Sequence, residues 1–108
     1  MHLTSQDNFA DMDTVRTLGF VRGNVVRARF FVRDIFAAFR MIIGGEIPEY
    51  TKLLSESREQ AIDRMIAKAQ ALNADGIVGI RFTTSQVMAG AAEVLVTGTA
   101  VTLRPKVA

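Results

Sequence analysis

The sequence predicts an α+β domain, and three stretches carry that expectation. Residues 48–72 place Tyr50, Leu53, Leu54, Ala61, Met65, Ala69 and Leu72 at helical spacing, so they share one face of a long amphipathic helix. Residues 76–84 and 91–103 alternate apolar and polar positions, the signature of half-buried strands. Residues 15–29 are rich in valine, threonine and arginine with short alternations and read as a further strand. With a short apolar helix between the first strand and the long helix, the order is β-α-α-β-β.

Taken in order, residues 1–14 are polar, and His2, Leu3, Thr4 and Ser5 suit a short edge strand. His2 is the only histidine and is expected to be solvated. In the first long strand, Leu18, Phe20 and Val26 suggest one face, while Gly19 and Gly23 leave room for a bulge or a close backbone approach. Phe30 to Gly45 reads as the short helix: Asp34 can cap its start, Ile35, Phe36, Phe39, Met41, Ile42 and Ile43 are apolar almost all round, and Gly44-Gly45 ends it. A helix apolar on every side is normally covered on two sides, and one cover can be a second copy of the chain.

Pro48 suits the first turn of the long helix, and Glu49 meets its positive end. Ile62 and Ile66 widen the apolar stripe, opposite Lys52, Glu56, Glu59 and Asp63. Asn73 can act as the left-handed stop, after which Asp75-Gly76 turns the chain. Val78, Ile80 and Phe82 are expected on one face of the next strand, with Arg81 and Thr83 on the other. Ser85 to Gly90 would connect it to the last strand as a hairpin.

The 108 residues make a single domain, 1–108, with 49% of positions apolar, which leaves surface for a partner subunit to cover. Without cysteine there are no disulfides, iron–sulfur clusters or thiolate zinc sites. The most apolar window, 30–43, holds Arg33, Asp34 and Arg40 and is too short to span a bilayer. No secretory leader is visible, so a soluble cytoplasmic protein without a membrane partner is expected. The net charge is only +2. Arginines cluster between Arg16 and Arg40, but no aromatic stacking pattern accompanies them, so no nucleic-acid partner is expected.

A Ser-His-Asp set lacks a placed histidine, and no glycine pattern matches a phosphate-binding loop. Glu46, Glu49 and Asp75 have the chemistry for acid–base work or a hard cation, but helix-start and turn roles explain them.

Four blocks in order resemble a known family: Arg33-Asp34 with the apolar helix and Gly44-Gly45; Tyr50, Leu53, Ser57-Arg58-Glu59 and Ala61; Leu72 to Ile80; and Gly98-Thr99-Ala100-Val101. The chain is similar to the YbjQ-like family of small uncharacterised bacterial proteins, which carries a heavy-metal-binding label. Asn73 stands where that family usually has glycine. The resemblance implies a small antiparallel sheet, a short and a long helix packed on one face, and a subunit that builds a ring, a pentamer. It implies no established reaction.

The soft metals of that label want thiolate or imidazole, which this chain scarcely offers, so no metal site, no cofactor and no tight zinc, copper or cadmium binding are expected. The expected function is a homo-oligomeric binding or scaffold protein of unknown ligand, with no catalytic residue. Its ligand or interface residues are expected at Arg33, Asp34, Glu46, Tyr50 and Asp75. The alternatives are a metal-binding module using carboxylates or His2 around a ring, or an enzyme whose site lies between subunits at Arg33, Asp34, Glu46 and Tyr50.

Overall fold

The computed structural model describes residues 1–27, 48–88 and 91–106. These form β1 (His2–Leu3), β2 (Met12–Arg27), α1 (Pro48–Ala71), β3 (Gly76–Met88) and β4 (Ala91–Pro105). The strands make one sheet in the order β1-β3-β4-β2. β4 is antiparallel to both β2 and β3, whereas β1 runs parallel to β3 with His2 opposite Gly76. The sheet is therefore mixed, not purely antiparallel as expected. The parallel pair needs a long crossover, and β2 together with α1 supplies it. Within the described residues α1 is the one helix; the expected short helix lies outside them.

α1 turns a narrow stripe toward the sheet. Ser57, Ala61, Met65 and Ala69, each four residues from the next, are buried, while Glu56, Glu59 and Asp63 face solvent. Ile66 packs partly against the same core, but Leu72, past the last turn, is exposed. The stripe is made largely of small residues, so the helix backbone comes close to β2. At Gly23 a Cβ atom would overlap the Ala61 carbonyl oxygen and lie 2.7 Å from the Met65 nitrogen. Glycine at that position is what lets the two elements touch.

The sheet's inner face supplies Val21 and Val25 from β2, Ile77 from β3, and Val94, Val96 and Ala100 from β4. Two bulges decide which residues point inward. Between Thr17 and Gly19 the register with β4 slips, so Leu18 packs against the core while Phe20, expected beside it, is 67% exposed on the outer face. Val26 is also outside, and Val21 and Val25 take the inner positions. In β3 a slip between Val78 and Arg81 passes through Gly79, whose φ is +64°. It puts Ile77, Ile80 and Phe82 on the helix side and separates them from Val78, with which Ile80 and Phe82 were expected to share a face. A one-residue bulge inverts every later side chain in its strand, which is why simple alternation misassigned these positions.

The hairpin is as expected in kind but tighter. Ser85 pairs with Glu93 and Gln86 with Ala92, so the ladder runs on through the stretch expected to be a loop and leaves only 89–90 between the strands. The helix ends at a Schellman motif. The Asn73 N–H donates to the Gln70 carbonyl at 3.0 Å and the Ala74 N–H to the Ala69 carbonyl at 3.1 Å, with Asn73 left-handed at φ +60°. Across the sheet, the Arg64 guanidinium donates to the Asn24 carbonyl at 2.6 Å and so occupies a polar group of edge strand β2.

Candidate functional site

Where the helix stops and β3 starts, the chain termini come together. The His2 N–H donates to the Asp75 carbonyl and the Thr4 N–H to the Ile77 carbonyl, both at 3.1 Å, which seats β1 on the sheet edge. The Asp75 N–H donates to the Val101 carbonyl at 2.9 Å, and its carboxylate Oδ2 accepts from the Leu103 N–H at 2.9 Å. Through main chain and side chain, Asp75 thus ties β1, the helix exit and β4 into one junction. At the far end of β4 the Lys106 N–H reaches the Asp11 carbonyl at 3.1 Å and closes the same corner from the other side.

These ties frame an open cleft of about 510 Å³ lined by Met1, His2, Met12, Gln70, Asp75 and Arg104, with Ala74, Leu103 and Pro105 completing its wall. The His2 ring is held edge-on to Phe9, with centroids 5.9 Å apart and planes at 73°. Arg104 lies opposite Asp13 in the β2–β4 register, so the cationic wall has a carboxylate beside it. The cleft has mixed charge and an apolar lining of methionine, leucine and proline.

Of the residues expected to form a site, Asp75 is in this cleft. Tyr50 falls in the first turn of α1, and Arg33, Asp34 and Glu46 lie outside the described residues. Asp75 has the structural duty that its turn position suggested, with one carboxylate oxygen already engaged. Sequence reasoning weighed His2 only as a metal ligand repeated around a ring and passed over Met12, Gln70 and Arg104. Their positions along the chain give no sign of a shared cleft; only the β1–β3 pairing and the β2–β4 register assemble them.

Among the described residues of one chain no three His, Asp or Glu side chains converge. No helix among the described residues is long and apolar enough to cross a bilayer.

The fold is a small α+β domain: a four-stranded mixed sheet with one described helix on its inner face and a cleft at the corner where the termini meet. A crystal structure of a protein of unknown function from Pediococcus pentosaceus shares this fold, with a TM-score of 0.66 at 18% identity, covering 96% of this chain and 98% of that one. The chain belongs to the YbjQ family, whose model, described as "Putative heavy-metal-binding", matches residues 1–104. Its relatives include a UPF0145 protein of Methanococcus vannielii, 54% identical over 96% of this chain and 99% of that protein. Another, from Halorubrum lacusprofundi, is 50% identical over 96% of this chain and 100% of the relative. A third, from Pseudothermotoga lettingae, is 50% identical over 96% and 98% respectively. The family therefore reaches beyond the bacteria with which the sequence blocks associate it.

Proposed function

We propose that this protein is a homo-oligomeric binding or scaffold protein, a pentamer, that holds a small ligand and catalyses no reaction of its own. One observation carries the oligomer: the chain is too extended to be its own finished unit. Its Cα radius of gyration is 17.5 Å. A compact domain of this length has a radius near about 13 Å. The long strands and the one described helix leave Phe20, Val26, Val15 and Phe82 exposed, and a partner surface is the natural cover for such side chains. Symmetric rings form when one surface of a copy meets a different surface of the next and the rotation closes.

Light scattering after size exclusion tests this reading. A mass five times the 11.8 kDa of the chain is expected at micromolar concentration, and the mass of a single chain overturns the proposal. The cleft supports the binding half of the reading. It joins polar groups of both signs to an apolar wall, a lining suited to holding and orienting a ligand.

A further inference from the structure

The three long strands set two arginines in one row on the sheet face turned away from α1. The register puts Arg22 of β2 opposite Thr97 of β4, and Thr97 opposite Arg81 of β3. Residues directly opposite in antiparallel strands share a face. Thr97 follows the core residue Val96, so this row points outward, and both arginines are exposed. Two strand spacings separate the Cα atoms of Arg22 and Arg81, about 10 Å, so their long side chains can meet above Thr97.

The row carries charge that its neighbours do not balance. Phe20, Thr99 and Val78 form the row on one side, and Asn24, Leu95 and Thr83 the row on the other, without a carboxylate in either. Glu93 lies a further row away and accepts from the Asn24 side-chain amide at 3.3 Å. Arg22 makes no hydrogen bond or ion pair among the described residues. Arg81 is anchored through Nη1, which donates to the Ser5 and Ile80 carbonyls. Its Nε and Nη2 donors stay available beside that anchor.

We propose that this row is a site for a phosphoryl group, the dianion of a phosphomonoester, held between the guanidinium groups of Arg22 and Arg81 over the Thr97 hydroxyl. The site goes beyond the oligomer and the corner cleft and rests on neither. A guanidinium presents paired N–H donors in a planar fork that matches phosphate oxygens, and two of them balance a dianion. The hydroxyl adds a neutral donor beneath. Along the sequence Arg22 belongs to a cluster that runs toward Arg40; the fold gives it a different companion in Arg81.

The test titrates the full-length protein with glycerol phosphate at low ionic strength, where surface charges are least screened. Calorimetry gives the stoichiometry, and NMR follows the arginine side-chain nitrogens and the Thr97 amide. One phosphoryl group per chain is expected, with shifts at Arg22, Arg81 and Thr97. Arg22→Gln should weaken binding roughly tenfold or more, and Thr97→Val roughly threefold, the usual scale for a charged and a neutral hydrogen bond. Arg81→Lys keeps the charge without the fork and should also weaken it. Arg104→Gln, in the corner cleft, should change nothing, and acetate at the same concentration should not compete. Circular dichroism confirms that each variant is folded. Absence of a saturable event, full affinity in folded Arg22→Gln, shifts confined to the corner cleft, or equal competition by acetate overturns the site. Masses measured on the same samples keep the two proposals apart: an intact oligomer that binds no phosphoryl group defeats this site alone, and a single-chain mass with binding defeats the oligomer alone.

Discussion

Gly23 shows how much one residue decides. Its missing side chain is the space in which α1 crosses β2, and the atoms a Cβ would strike belong to the helix backbone, at Ala61 and Met65. A backbone cannot swing aside as a side chain tip can, so Gly23→Ala must push the helix off the sheet. Overpacking of this kind costs about 1–3 kcal/mol. The loss is expected at or above the top of that range, because Met65 and Ala61 are fully buried beneath it. Urea unfolding checks the prediction, and a variant within about 0.5 kcal/mol of the parent would contradict the close approach. Asp75 is the opposite case: an exposed residue whose weight lies in its hydrogen bonds, to β1 through its carbonyl and to β4 through its N–H and carboxylate.

At the scale of elements, the boundaries rest on two left-handed residues. Gly79 has φ +64° at the β3 bulge, and a Cβ there would meet nothing within 4 Å. Gly79→Ala therefore isolates the backbone cost, about 1–2 kcal/mol for an L-residue in that region. Asn73 already bears that conformation at the helix stop, where φ is +60°. Asn73→Gly should leave stability unchanged or raise it by a few tenths of a kcal/mol, since glycine is the commonest residue at that position. Thermal melts of the two variants should thus move apart: Gly79→Ala lower, Asn73→Gly level or slightly higher. A drop for Asn73→Gly as large as that for Gly79→Ala would mean that the asparagine side chain makes a contact beyond its backbone role.

For the whole molecule, the proposed oligomer would let other copies cover the exposed apolar side chains of the long sheet. Binding between folded chains stabilises them by mass action, so the melting temperature should rise with protein concentration. Melts at concentrations spanning about a hundredfold check this; a midpoint that does not move across a range in which light scattering shows the oligomer dissociating would mean that assembly adds nothing to the fold. The legibility of the fold varies with scale in the same way. The helix over 48–71 with its exposed carboxylates, the Asn73 stop, the edge strand at His2 and the hairpin were all readable, because each depends on local spacing or on one residue's backbone preference. The cleft was not readable beyond Asp75, since Met1, Met12, Gln70 and Arg104 carry no local signal.

By itself the sequence determined the class of the domain, the long helix and its direction of burial, the places where chain direction changes, and membership of the family. These follow from periodicity, from glycine and asparagine conformations, and from residue blocks that survive in order along the chain. Only the tertiary structure decided the direction of β1, the inner and outer faces of β2 and β3, and the company His2 keeps. A bulge shifts a strand's facing by one residue at no cost visible in composition, and strand pairing joins residues a hundred positions apart, as His2 and Arg104 show at the two walls of one cleft.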